Sequence, residues 1–121
     1  MVNSRPDFWD CFRFYKGESG NFQAEAKIDK YLLVASFLEE DIQGSSSLAD
    51  EYIKKTVKIL RGEFGSQELN GNAYGVLIGN DKSKLTNHFL ENKELLLETS
   101  FFLKIITHWK DFITGDSVQA K

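Results

Sequence analysis

Asn70-Gly71-Asn72-Ala73-Tyr74-Gly75-Val76-Leu77-Ile78-Gly79-Asn80-Asp81-Lys82-Ser83-Lys84-Leu85-Thr86-Asn87-His88-Phe89 is the stretch whose reading decides the fold. Tyr74, Val76 and Ile78 are apolar at every second position, and Leu85, Asn87 and Phe89 repeat that period after the turn signal Gly79 to Lys82. Alternation on both sides of a turn predicts an antiparallel hairpin. The short apolar run Glu94 to Leu97 predicts a further strand, after which Thr99 opens a helix. In that helix Phe102, Ile105, Ile106, Trp109, Phe112 and Ile113 recur three and four apart, one stripe at about 100° per residue. A sheet with one apolar face and a helix with one apolar stripe bury each other. The expected architecture is α+β, an antiparallel meander of about three strands packed against several helices, with Trp109 at the centre of the core.

Upstream, Ser4-Arg5-Pro6-Asp7 has the hydroxyl, proline and acid of a helix start, and Phe8, Cys11, Phe12 and Tyr15 follow at i, i+3, i+4 and i+7. A helix near Arg5 to Lys16 is predicted, although Phe12 to Tyr15 alone also fits a strand. Glu18 to Asn21 reads as a loop. Ala24, Ile28, Tyr31, Ala35, Leu38 and Ile42 then predict a long amphipathic helix from Phe22 to Gln43, closed at Gly44. Ser47 is the expected cap of a third helix ending at Arg61, with Ala49, Ile53, Val57 and Leu60 as its stripe and Gly62 as its stop. Glu63 to Asn70 reads as a loop.

A length of 121 residues suits a single domain, spanning 1–121, with one core. A net charge of −3 disfavours a broad nucleic-acid surface. One cysteine, Cys11, makes no internal disulfide, and no apolar segment follows Met1 or approaches the length of a membrane span, so a cytoplasmic location is expected.

The residue types needed for catalysis are sparse. His88 and His108 are the only histidines, and neither stands at ligand spacing from a Cys, Asp or Glu; no metal or cofactor is expected. Gly71, Gly75 and Gly79 match no phosphate-binding loop, because no glycine directly precedes the Lys82-Ser83 pair and the glycines lie along a strand rather than opening a helix. Gly75 and Gly79 instead suggest close approach of another group or a bulge. Phe8, Trp9, Phe12, Phe14 and Tyr15 read as a recognition patch or, more ordinarily, as core anchors. Lys54, Lys55, Lys58 and Arg61 read as a phosphate-binding face or, more ordinarily, as a solvated one.

The segment Gly71 to Ile78, the turn, Leu85-Thr86-Asn87-His88-Phe89 and a closing helix bearing Trp109 and Phe112 together resemble the C-terminal half of small immunity proteins of bacterial contact-dependent growth inhibition systems. The resemblance covers roughly Asn70 to Thr114. It implies a cytosolic, non-enzymatic protein that forms a one-to-one complex with a cognate toxin domain, often a nuclease, and covers its active cleft. No catalytic residue carries over. A nuclease cleft is basic, so an inhibitor gains steering by presenting carboxylates. Glu39, Glu40, Asp41, Asp50 and Glu51, on either side of the Ser45-Ser46-Ser47 linker, are the candidate acidic corner, with Glu40 and Asp41 expected to be exposed. An exposed edge of the hairpin is a second candidate surface. Two other classes fit the same residues: a protein-interaction or regulatory adaptor using the acidic corner, and a nucleic-acid binder using the basic helix face.

Overall fold

The structure is a computed structural model that describes residues 8–90 and 93–115. Element α1 (Phe8–Cys11) leads into β1 (Phe12–Lys16) and β2 (Phe22–Ala26); a 3-10 turn (Asp29–Tyr31), α2 (Leu32–Phe37) and a π-helical turn (Leu38–Ile42) follow. Next come α3 (Ser46–Leu60), β3 (Gln67–Asn70), β4 (Tyr74–Ile78), β5 (Lys82–Asn87), β6 (Glu94–Glu98) and α4 (Thr99–Thr114). The class is α+β, but with an antiparallel β1-β2 pair and a separate four-stranded antiparallel sheet in the order β3-β4-β5-β6, where about three strands were expected.

Two of the expected helices are corrected. Phe12 and Phe14 are buried while Arg13 faces solvent, a period of two, and Phe22, Ala24 and Ala26 alternate likewise on the partner strand. Between them the Gly17 amide donates to the Asn21 carbonyl and Gly20 adopts φ 86°, closing a hairpin across Gly17 to Asn21. The i, i+4 coincidence of Phe8 and Phe12 survives only as the single turn of α1, and residues 5–7 of the expected helix lie outside the described part. The helix expected from Phe22 thus begins at Leu32 and ends at Ile42. Its last turn widens to π geometry, in which the Gln43 amide donates to the Leu38 carbonyl at 2.7 Å, and Gln43, not Gly44, takes the positive φ of 55°. The third helix forms as expected, except that Ser45 caps it by accepting from the Leu48 amide at 3.1 Å. The closing helix forms over the expected residues.

In the larger sheet, the cross-strand rows Gln67-Ile78-Ser83-Leu97 and Leu69-Val76-Leu85-Leu95 share the inner face with Tyr74 and Asn87, whereas Glu68-Leu77-Lys84-Leu96 form an outer row open to solvent. The inner face packs on α2 and α4, and α3 lies along α4. Strand β3 was unreadable because Leu69 is its one apolar residue; it forms because β4 offers it a ladder. Strand β5 stops at Asn87, whose Oδ1 accepts from the Phe89 amide at 2.8 Å and the Leu90 amide at 3.2 Å, turning the chain outward and leaving Phe89 76% exposed.

Trp109 occupies the position expected of it. It is fully buried, edge-on to Phe14 at 5.0 Å and beside Phe112 at 5.6 Å, and its Nε1 donates to the Gln43 carbonyl at 2.8 Å. Most of the N-terminal aromatics are core: Phe8, Phe12 and Phe14 are buried, and Phe8 stacks on the His108 ring at 4.1 Å. Truncating Trp109 removes the largest of these packed rings and orphans a carbonyl. Trp109→Ala is expected to cost about 3–5 kcal/mol in urea unfolding, and Trp109→Phe, which keeps a ring but no donor, much less. An unchanged unfolding midpoint for Trp109→Ala would show that this packing contributes nothing.

Candidate functional site

The acids singled out in the sequence do not act as one exposed corner. Asp41 lies three residues after Leu38 and seven after Val34 on the inward stripe of the second helix, and it is 6% exposed. Its carboxylate accepts from the backbone amides of Ala73 and Tyr74, both at 3.0 Å, and so clasps the turn between β3 and β4. Gly71 is glycine for this reason, since a Cβ there would collide with the Asp41 carboxylate. Glu39, half-buried, accepts from the Ala24 amide of β2 at 2.7 Å. Asp50 bridges Lys54 and Lys110, each at 3.0 Å, and these hydrogen bonds, Lys110 first, hold its carboxyl below the usual range. Glu40 and Glu51 are the two acids of the five that remain exposed. The expectation of exposure therefore holds for Glu40 and fails for Asp41. The physical reason is that buried backbone amides outcompete water for a carboxylate already on the apolar stripe.

Glu40 opens onto a cleft of about 510 Å³ between α2 and the β5-β6 end of the large sheet. Asp29, Lys30, Leu32, Leu33 and Ser36 line it with Glu40 from the helical side, Leu90, Lys93, Glu94 and Leu95 from the sheet side, and buried Tyr74 and Asn87 complete the lining. The Tyr74 hydroxyl donates to Glu40 Oε1 at 3.1 Å. Burial, with this hydrogen bond second, pushes the Tyr74 phenol up to about 12, and burial likewise pushes Tyr52 up to about 12. At neutral pH Tyr74 is thus a protonated donor that fixes Glu40 at the mouth, rather than a group poised to exchange protons. Leu32 at the mouth is 55% exposed and Leu90 is 53% exposed. A wall of leucines with a few anchored polar groups is the composition of a recognition surface.

Other candidates contribute no reactive centre. Among the described residues no group of three or more His, Cys, Asp or Glu is arranged to hold a metal ion. His88 is exposed and lies 3.0 Å from Asn70 Oδ1; these two side chains fill the space above Gly75, the close approach that its lack of a side chain permits. Cys11 is buried. On the basic face of α3, Lys54 pairs with Asp50, Lys58 lies over the Phe64 ring, and Arg61 reaches Glu63 at 4.0 Å. No helix among the described residues is long and apolar enough to cross a membrane. No known protein family, curated protein or solved structure matches the chain.

The Asp41 clasp predicts a specific loss. Asp41→Ala leaves the Ala73 and Tyr74 amides without acceptors, at about 1–3 kcal/mol for each buried group, and should lower the urea midpoint while a change at exposed Glu51 does not. The tyrosines predict a pH dependence. A phenol whose folded pKa is raised binds its proton more tightly in the folded state than in the unfolded one, so its contribution is complete below about pH 10 and is lost as pH rises toward about 12. Alkaline titration followed by tyrosinate absorbance should show Tyr52 and Tyr74 ionising late, together with unfolding. Ionisation of all four tyrosines near the ordinary value with the fold intact would contradict this.

Proposed function

We propose that this chain is an immunity protein: it binds a cognate toxin domain one-to-one, covers that domain's active cleft, and carries out no chemistry itself. The observation that carries the reading is the open, leucine-walled cleft with Glu40 held at its mouth by Tyr74. Such a surface joins apolar contact area to a fixed negative charge. It suits a basic protein partner, because Tyr74 pre-orients the Glu40 charge beside a wall of leucines, with Asp29 and Glu94 on the same lining as Lys30 and Lys93. The resemblance of Asn70 to Thr114 to immunity proteins of contact-dependent growth inhibition points the same way, and a nuclease toxin supplies the required basic cleft. A nucleic-acid partner is less well served, since Lys54, Lys58 and Arg61 already have local contacts.

The reading is tested with the toxin domain encoded beside this chain's reading frame. Wild-type protein should bind it and restore growth of cells expressing it. Glu40→Lys combined with Glu51→Lys should slow association by about tenfold at low salt and less at high salt, because steering charges act within a Debye length of roughly 10 Å at 0.1 M ionic strength. Asp41 is excluded from the charge reversal, since its carboxylate serves the fold. Equal association rates for both proteins at both ionic strengths would remove the carboxylates from the mechanism, and absence of binding by wild type would refute the function.

A further inference from the structure

The ladder between β5 and β6 determines which way each backbone group of β6 points. The Asn87 amide donates to the Lys93 carbonyl at one end, and the Thr99 amide donates to the Asp81 carbonyl at the other. Antiparallel bonding has a period of two, so Leu95 and Leu97 bond inward to β5 while the amides and carbonyls of Glu94 and Leu96 point outward. Beyond β6 the sheet ends, and no hydrogen bond among the described residues reaches these outward groups.

The other hairpin handles its edge differently. There, Cys11 with Lys27 and Gly17 with Asn21 mark the inward positions, so the Ala24 amide points outward, and the Glu39 carboxylate blocks it. Among the described residues no side chain blocks the outward amides of Glu94 and Leu96, and β6 contains no lysine, proline or bulge of the kinds that protect natural edges. Its outer face carries Leu96, 63% exposed, between Glu94 and Glu98, and on the inner face Leu95 lines the leucine-walled cleft. Strand β3, the opposite edge, has Glu68 and Asn70 at its outward positions, and the Asn70 side chain is taken up by His88.

We propose that the open edge of β6 takes up an extended strand of a protein partner, with an apolar residue opposite Leu96 and a lysine or arginine opposite Glu94. The added strand's alternate side chains would enter the cleft against Leu32, Leu33 and Leu95, so main-chain pairing supplies affinity and the two faces supply specificity. Charge selects the occupant. A second copy pairing antiparallel about Leu96 would set Glu94 against the other copy's Glu98, and like charges directly opposite are unfavourable. A basic strand meets Glu94 favourably on the outer face and Glu40 at the cleft mouth. This inference deepens the toxin-binding reading and supplies its mode of contact.

The test separates the two. The full chain, isotope-labelled, is mixed at millimolar concentration with a short Lys-Val-Val-Val-Lys peptide, which sets valine opposite Leu96 and lysine opposite Glu94 on one face, and with the charge-reversed Glu-Val-Val-Val-Glu peptide, and amide hydrogen exchange is followed residue by residue. The lysine peptide should slow exchange at Leu96 and Glu94 by about tenfold or more, the glutamate peptide should not, and Leu96→Pro should abolish the effect. Because the Leu96 amide points outward, proline there removes no ladder bond. Should Leu96→Pro fail to fold, Leu96→Lys keeps the backbone intact and should weaken the response by repelling the lysine peptide. No protection by the lysine peptide, equal protection by both peptides, or protection that grows with protein concentration without peptide would each overturn the proposal. The toxin domain then distinguishes the failures: equal affinity for wild type and Leu96→Pro sinks the edge and leaves the function, whereas a peptide response without toxin binding sinks the function and leaves the edge.

Discussion

The carboxylate of Asp41 is the constraint on which the arrangement of layers depends. It projects from the π-helical turn and accepts from two successive amides of the β3-β4 connection, joining the second helix to the large sheet at one point. Buried amides must have partners, and a carboxylate accepting two of them is a charge-assisted bond that water does not easily replace. The wide turn matters because it comes at the end of the inward stripe, where Asp41 and Ile42 both face the core. With that register set, Glu40 points to the cleft and Glu39 to the β2 edge. Three consecutive acids thus serve three different places.

The end of the same turn is held from the other side. Gln43 adopts a positive φ that non-glycine residues seldom occupy, and its carbonyl receives the indole N–H of Trp109. Strain at one residue is offset by a buried hydrogen bond and by the rings around Trp109. Farther along, Lys110 reaches Asp50 and ties α4 to α3. The closing helix is therefore both the wall of the core and the strap that keeps the acidic turn in position, which connects the packing of Trp109 to the shape of the cleft.

The two sheets show how edge strands divide between stability and recognition. The outward amide of Ala24 is spent on an intramolecular carboxylate, which removes one donor from the edge of the two-stranded sheet. The β6 edge is left with a leucine on each face beside a cleft. An unpaired edge exposes a chain to aggregation, and here the glutamates at the two ends of β6, Glu94 and Glu98, place charge on its outer face.

What the sequence by itself determined are the elements whose pattern is long or doubled. The stripes of α3 and α4 run over four turns, and the alternation of β4 continues across a glycine turn into β5, so local periodicity left little choice there. The run Glu94 to Leu97 was legible for the same reason. Short segments were not: Phe8, Cys11, Phe12 and Tyr15 satisfy a helical period and Phe12 and Phe14 a strand period, and only pairing with Phe22 to Ala26 decides between them. Strand β3 has one apolar residue and exists because a neighbouring ladder was available. At the candidate site, the sequence identified a cluster of acids and the tertiary structure assigned their work. Its signal was present, since Asp41 sits on the stripe of Val34 and Leu38, but a charged residue on an apolar stripe becomes interpretable only when its acceptors' partners, thirty residues downstream and more, are brought to it. Hydrogen bonds between distant segments have no local period, and that is why they alone decided which carboxylates hold the fold and which remain exposed.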